Sequence, residues 1–301
     1  MKCGKKMDFS SFVSETPEST YGSRNRPKLR FEKNKSCWLF EGDGMAFLEG
    51  VIRKYPEGCF DMIFADPPYF LSNGGMTCRS GRMVSVNKGA WDKSQGADSN
   101  HEFNLRWLSL CQKALTPNGT IWISGTQHVI YSVGFALQQL GFKILNDISW
   151  EKPNPPPNLS CRYFTHSTET ILWAAKNQNS RHYFDYPAMR KENGGKQMKS
   201  VWQFLPPASS EKIFGKHPTQ KPVALLKRII RASTKMGDMV FDPFMGSGTT
   251  GCAAFELNRK FVGIDLSPEF VEIAIKRLKA AASDSPELRE RRPTSREAVE
   301  A

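Results

Sequence analysis

Between about residues 37 and 280 the chain alternates short apolar runs with segments of helical periodicity, which leaves few folds open. "CWLFEGD" (37–43) and "DMIFAD" (61–66) read as short buried strands. "HEFNLRWLSLCQKAL" then places Phe103, Trp107, Leu110, Cys111 and Ala114 on one helical face. "PNG" breaks the chain before a strand at "TIWIS", a helix follows over roughly 128–140, and two strands read at "FKILNDISW" and "TETILWAA". From 176 to about 216 the chain is polar without clear periodicity. "PTQKPVALLKRIIRAST" returns to helix, with Val223, Leu226 and Ile230 on one side. "DMVFD" (238–242) reads as a strand, "GTTGCAAFELN" as a helix and "KFVGID" (260–265) as a strand. The last helix opens with Ser267 as N-cap and Pro268 at its first position, and carries Val271, Ala274, Ile275 and Leu278 on one face. Such alternation predicts an α/β fold with a doubly wound, mostly parallel sheet.

The core of that fold is expected over 36–282, within a chain of 301 residues. Residues 1–35, basic and aperiodic ("SRNRPKLRFEKNK"), read as a flexible arm, and 283–301 as a charged flexible tail. A formal net charge of +12 points to a polyanionic partner, nucleic acid before membrane, because basic groups displace counterions from phosphates. The seven cysteines (Cys3, Cys37, Cys59, Cys78, Cys111, Cys161, Cys252) are scattered, which argues against a zinc site and fits a reducing cytoplasm. No signal peptide reads at the start, and no apolar run is long enough to span a bilayer.

Open α/β sheets bind ligands beyond the carboxyl ends of their strands, and two strand ends stand out. In "FDPFMGSGTTG" (241–251), Gly246 and Gly248 allow a tight turn and close approach to a ligand, and the following helix presents free N–H groups. The next strand ends on Asp265, 19 residues beyond Gly246, where an acid commonly binds ribose hydroxyls. The pattern reads as a site for a nucleoside-bearing cofactor. It is neither G-x-G-x-x-G nor a P-loop, so NAD and ATP are disfavoured. In "DMIFADPPYF" an apolar strand ends on Asp66, and Pro67 and Pro68 fix the next two φ angles. Asp66, nearby carbonyl oxygens and the flat face of Tyr69 form a receptor for an exocyclic amino group on a planar base. A structural turn with Asp66 capping a helix reads equally well from these four residues alone.

Both loops together resemble the S-adenosylmethionine-dependent DNA amino-methyltransferases. "DPPY" (66–69) is similar to the catalytic motif of that family, "DPFMGSGTT" (242–250) to its cofactor loop, and "GKHPTQKP" (215–222) to a segment characteristic of it. The order, catalytic motif first, resembles the β group, in which the target-recognition segment lies between the two. The resemblance covers about residues 37–280. It implies a circularly permuted sheet of the class I methyltransferase type with an inserted recognition region at about 176–216. Asp in the first motif position favours adenine N6 over cytosine N4. "ADPPYFLSNGG", "NPPPNLSCRYFTHSTETILWA" and "GKQMKSVW" further resemble a subgroup that modifies adenine in GATC within restriction-modification systems.

Carried onto this chain, the resemblance implies that Asp66 and the Pro67 carbonyl accept from the adenine amino group, with Pro68 stiffening the corner and Tyr69 stacking on the base. Asp242, Phe244, Gly246, Ser247, Gly248 and Thr249 form the cofactor loop, and Asp265 binds ribose. Asp43, in "EGDG", falls where the family contacts the cofactor's adenine, though it equally suits a helix cap. His217 and Lys221 fall near the methionine carboxylate; a structural histidine and a surface lysine are their plainer readings. No metal is required. Arg79, Arg82 and Lys88, in a basic loop at about 72–100, and Arg162 are candidates for phosphate or base contacts, or else solvated side chains. The partners implied are DNA, double-stranded and single-stranded, a second copy of the chain as a homodimer, and a cognate restriction endonuclease. No membrane is implied, and the expected location is the bacterial cytoplasm, on the nucleoid. Alternatives are a cytosine-N4 or RNA methyltransferase, a nucleotide-dependent oxidoreductase, and a DNA-binding module without catalysis.

Overall fold

In the computed structural model of the chain, residues 7–10, 26–71, 76–79, 82–85, 92–158 and 160–283 are described, with the backbone alone at 76–79, 82–85, 282 and 283. The strands are β1 (Lys28–Lys33), β2 (Cys37–Glu41), β3 (Phe60–Ala65), β4 (Met76–Arg79), β5 (Arg82–Ser85), β6 (Leu115–Gly125), β7 (Lys143–Glu151), β8 (Thr168–Ala175), β9 (Val201–Gln203), β10 (Met239–Asp242) and β11 (Lys260–Asp265). The helices are α1 (Gly44–Lys54), α2 (Ala97–Ala114), α3 (Ile130–Gln139), α4 (Tyr186–Glu192), α5 (Val223–Ser233), α6 (Thr249–Glu256) and α7 (Pro268–Ser283). No helix of the described residues is long and apolar enough to cross a membrane.

Nine strands form one sheet in the order β1-β2-β11-β10-β3-β6-β8-β7-β9, and β4 and β5 make a separate hairpin. From β2 through β6 neighbouring strands are parallel, and the antiparallel members are β1 and β8. The sheet is therefore mostly parallel, as the alternation of elements predicts. β10 lies between β11 and β3, so two segments almost 180 residues apart in sequence become neighbours, with Phe241 opposite Ile63. The permuted order thus sets the DPPY corner beside the glycine loop.

Both faces of the sheet are covered. Phe47 and Leu48 of α1, Trp107 and Cys111 of α2 and Val133 and Leu137 of α3 pack on one face. Leu226 and Ile230 of α5, Ala253 of α6 and Val271 and Leu278 of α7 pack on the other. Ser267 caps α7 as its sequence predicts, its carbonyl accepting from the Val271 N–H.

Three local expectations need correction. Within the expected N-terminal arm, 28–33 forms edge strand β1 and Phe9 is fully buried, its ring stacked on that of Phe60. "KLRFEK" turns Leu29 and Phe31 inward and its charges outward, so an amphipathic edge strand looks like a solvated run in sequence. Residues 1–6 and 11–25 of that arm, Lys88 and the tail 284–301 lie outside the described residues. "PNG" does not precede β6 but lies within it: Leu115 pairs with Phe60 and Thr120 with Met62, so the intervening residues bulge from the ladder. The polar stretch 176–216 contains α4 and β9, and Trp202 packs beneath the Arg228 guanidinium of α5, 5.2 Å from ring centre to Cζ.

Candidate active site

β3 is an interior strand, so the residue after it emerges at the carboxyl edge of the sheet between β10 and β6. That residue is Asp66. Pro67 and Pro68 donate no N–H and end the ladder there. The chain then turns sharply, and Phe70 adopts φ +58°, a left-handed conformation that costs a bulky residue energy. The buried carboxylate of Asp92 holds this turn. Its Oδ1 accepts from the Tyr69 N–H (2.9 Å) and the Phe70 N–H (2.8 Å), and its Oδ2 from the Leu71 N–H (3.1 Å).

Four charged groups and a phenol meet at this corner. The Lys221 ammonium lies 2.6 Å from Asp66 Oδ2 and 3.7 Å from Glu169 Oε2, and donates to the Tyr69 hydroxyl at 3.2 Å. The Tyr69 hydroxyl donates to Asp66 Oδ1 at 2.6 Å and lies 3.3 Å from both Ser124 Oγ and Glu169 Oε2. Lys152 pairs with the other oxygen of Glu169. Two carboxylates and two ammonium groups balance, which allows all four to be buried or half-buried.

Burial raises the Asp66 carboxyl, with the charge of Glu169 adding to the effect and Lys221 opposing it. Glu169 behaves oppositely. Burial would raise it, but Lys221, Lys152 and the Ser124 hydroxyl together bring it down to about 2. Burial would lower Lys221, but Asp66 and Glu169 outweigh it and hold the proton on the ammonium. The phenol of Tyr69 is raised well above its ordinary range by burial and the two nearby carboxylates. Asp66 is therefore the carboxylate here with the higher proton affinity, and Glu169 stays ionised.

The second loop abuts the first. Gly246 and Gly248 adopt φ +53° and +76°, and a Cβ on Gly246 would come within 2.9 Å of His217 Nε2. Asp265 ties this loop to the end of β11, accepting from the Gly246 N–H at 2.8 Å and the Ser267 N–H at 2.9 Å. Arg277 of α7 donates to the Ser247 carbonyl (2.8 Å), Ser247 Oγ (3.0 Å) and Thr249 Oγ1 (2.9 Å). A cavity of about 270 Å³ runs from Asp43 and Asp265 to Asp66 and Pro68, walled by Met45, Trp107, Phe244 and Phe270. A smaller cavity of about 30 Å³ joins Asp66, Lys221, Gly246 and Ser247.

Most of the residues predicted for the site thus converge, with several differences in placement. Asp43 is the N-cap of α1, accepting from the Ala46 N–H at 2.9 Å, and also lines the larger cavity. Asp242 is buried beneath the glycine loop, held by Thr250 Oγ1 (2.5 Å) and the Phe244 N–H (3.0 Å). Lys221 is committed to Asp66 and Glu169, whose buried carboxylates attract it more strongly than an exposed position could. His217 packs edge-on against Phe270 and covers Gly246. Tyr69 is only 5% exposed, its hydroxyl occupying an oxygen of Asp66. Arg162 is exposed, and Arg79 and Arg82 lie on the β4–β5 hairpin. Asp92, Ser124, Lys152, Glu169 and Arg277 escape sequence reasoning. The available signal for Glu169 is an acid within the apolar strand "TETILWAA", and for Arg277 a cation on the buried face of α7.

A mostly parallel sheet with a glycine loop and acids at adjoining strand ends, lining two cavities that share Asp66, is the arrangement of a class I methyltransferase. Comparison with known proteins narrows the class. The chain belongs to the N6/N4 DNA methylase family, which matches residues 60–276. It is 56% identical to the type II methyltransferase M2.DpnII of Streptococcus pneumoniae over 264 residues, 87% of this chain and 97% of the relative. It is 49% identical to the type II methyltransferase M2.MboI of Moraxella bovis, over 84% of this chain and 91% of the relative. Among solved structures, the complex of M1.HpyAVI with S-adenosylmethionine superposes with a TM-score of 0.61 at 29% identity, covering 80% of this chain and 98% of that one. The cytosine-N4-specific PvuII methyltransferase shares the fold, with a TM-score of 0.64 at 21% identity over 80% of this chain and 86% of that one.

The protein is therefore a DNA methyltransferase with S-adenosylmethionine as donor. Its larger cavity fits that cofactor. Acids stand at the ends of two adjoining strands, aromatic walls suit a purine, and a Cβ at Gly44 would come within 2.8 Å of the Pro243 carbonyl oxygen, so the backbone beside Asp43 is kept bare.

Proposed function

We propose that this enzyme methylates N6 of adenine flipped out of duplex DNA, within GATC, as the modification arm of a restriction-modification system. One observation carries the reading: Asp66, at the end of β3, shares a cavity with the glycine loop that the permuted sheet sets beside it. The relatives' designation as type II methyltransferases supports the restriction-modification setting. The GATC assignment rests on the segments around 65–75, 154–174 and 195–202. The same reading places the protein in the bacterial cytoplasm, on the nucleoid, with a cognate endonuclease as functional partner and a second copy of the chain as a binding partner.

The amino lone pair of adenine is delocalised into the ring, so the nitrogen is a poor nucleophile. Asp66 and the Pro67 carbonyl accept from its two N–H bonds and favour a pyramidal nitrogen with an available lone pair. The cofactor supplies an activated sulfonium methyl. Asp43 and Asp265 orient the nucleoside, and the loop 242–249 sets the donor against the base; such positioning is worth up to about 7–11 kcal/mol. Positive charge that develops on N6 is stabilised by Asp66, whose raised proton affinity also suits it to take the departing proton. Tyr69 stacks on the base after its hydroxyl leaves Asp66. The hairpin β4–β5, with Arg79 and Arg82, the adjoining Lys88, and Arg162 hold the DNA backbone, and 176–216 reads the sequence.

The test is transfer of labelled methyl groups to defined oligonucleotides, followed by nucleoside analysis and mapping. The expected product is N6-methyladenine in GATC. Asp66→Ala abolishes transfer while cofactor binding persists. N4-methylcytosine as the product, or normal turnover by Asp66→Ala, refutes the assignment.

A further inference from the structure

The most exposed large apolar side chain among the described residues is Phe164, at 96%, and the neighbouring Tyr163 is 61% exposed. Their loop is internally braced. Asn158 donates to the Tyr163 carbonyl at 2.6 Å and accepts from the Ser160 N–H (3.0 Å) and hydroxyl (2.8 Å). Tyr163 packs against His166, 5.6 Å between ring centres, and His166 Nε2 lies 3.1 Å from Gln127 Nε2 in the loop that follows β6. The aromatic tip is thus anchored at the carboxyl edge of the sheet, the edge on which the active site opens.

It is also close to the chemistry. Five residues beyond Phe164 the chain reaches Glu169, which touches the Tyr69 hydroxyl, so about 18 Å of extended chain is the farthest that separates the two backbones. The flank is polar and basic, with Arg162 exposed on one side and His128 across the loop. An apolar ring held fully in water near the Arg162 cation suits a partner with an anionic rim and an apolar interior. Duplex DNA has both: phosphates outside, stacked bases within. A base that leaves the stack opens a gap that an aromatic side chain can fill.

We propose that Phe164 enters the base stack where the target adenine leaves it, with Arg162 on the adjoining phosphate. This rests on the reading of the site as an adenine methyltransferase that flips its base. The ring lies outside the lining of both cavities of the site, so its effect falls on the opening of the duplex and not on transfer itself.

The experiment measures single-turnover methylation by wild type, Phe164→Ala and Phe164→Trp on two duplexes, one with the target adenine paired and one with it facing an abasic site. A 2-aminopurine at the target position reports flipping by fluorescence in parallel. On the paired duplex Phe164→Ala is expected to lose about tenfold or more in rate, together with the fluorescence rise, while Phe164→Trp keeps both. Opposite the abasic site, Phe164→Ala matches wild type. Equal loss on the two duplexes, or no loss on either, overturns the proposal. Failure of wild type to methylate adenine in either duplex refutes the reading of the site instead.

Discussion

Lys221 lies 155 residues from Asp66 in sequence, yet its ammonium approaches Asp66 Oδ2 to 2.6 Å at the floor of the site. The ion pair joins the "HPTQKP" segment to the DPPY corner, so under the proposed mechanism Lys221 acts on the charge of Asp66. Lys221→Met leaves Asp66 and Glu169 buried together with Lys152 as their remaining counter-ion. Breaking such a pair costs about 3–5 kcal/mol of stability, and both carboxylates rise toward protonation. A protonated Asp66 is a poor acceptor, so transfer is expected to fall about 10²–10³-fold, with cofactor affinity little changed. Thermal unfolding and single-turnover kinetics check both halves; an unchanged rate would separate Lys221 from catalysis.

Tyr69 tests the distinction between face and hydroxyl. Its hydroxyl holds Asp66 Oδ1 and must release it for an amino group to bind there. Tyr69→Phe removes this competitor and keeps the ring, so its rate stays close to wild type. Tyr69→Ala removes the stacking surface, worth about 1–3 kcal/mol, and is the slower enzyme by about 10–100-fold. The reverse order of measured rates would contradict stacking.

These residues differ in how far the sequence reveals them. Asp66, Asp242 and Asp265 end apolar runs, and glycines or prolines follow two of them, so strand and loop are visible locally. Their neighbourhood follows from the alternation of elements, because β10 must enter a sheet that already holds β3. Glu169 and Lys152 carry no such local mark. An acid in a strand reads as its solvent-facing residue, and only the fold brings Lys221 within 3.7 Å of it. Asp92 is similar, since its partners are backbone N–H groups, which a sequence never distinguishes. β1 is missed because alternating charge around Leu29 and Phe31 matches both an edge strand and a solvated arm.

Glu169 sets the charge against which Asp66 titrates. With Glu169→Gln the positive charges of Lys221 and Lys152 outnumber Asp66, and the Asp66 carboxyl falls. The acid limb of the transfer rate is expected to move to lower pH, and its plateau to fall as Asp66 binds Lys221 more tightly. A purely structural role would lower the plateau without moving the limb. Stability gives a second sign. Wild-type Glu169, lowered from 4.5 to about 2, contributes stability that is complete above its unfolded value and lost as pH falls through about 2. Glu169→Gln lacks that contribution, so the difference in unfolding free energy between the proteins shrinks between about pH 4.5 and 2.

Asp92 acts through the turn that carries Tyr69. A carboxylate accepts all three N–H groups, whereas in Asp92→Asn one side of the amide must face a donor with a donor. Asp92→Ala leaves three N–H groups to find other partners, at about 1–3 kcal/mol for each that stays buried and unpaired. The expected result is a graded loss of kcat, about tenfold for Asn and larger for Ala, with cofactor affinity retained. Faster hydrogen exchange at residues 69–71 in the same variants would locate the defect in the turn; equal loss of kcat and cofactor binding would place it elsewhere.

Asp242 predicts a pH dependence of the fold separate from the chemistry. Burial lifts its carboxyl to about 7 against the pull of the Thr250 hydroxyl and the Phe244 N–H. In the unfolded chain the same group returns to about 3.8. Between these values the folded protein holds a proton that the unfolded chain has lost, so the contribution of Asp242 to stability is complete below the lower value and declines as pH rises to the upper one. The slope reaches about 1.4 kcal/mol per pH unit, the limit for one proton. Asp242→Asn keeps both contacts, since its oxygen accepts from Phe244 and its amide donates to the Thr250 hydroxyl, yet it cannot ionise. Urea unfolding of the two proteins from pH 4 to pH 8 should show the asparagine variant gaining on wild type as pH rises, with the gap constant above the folded pKa. A difference that does not vary with pH would mean that Asp242 is already ionised in the fold at the acid end, and that the loop from Phe244 to Thr250 is held by a charge and not by a neutral acid.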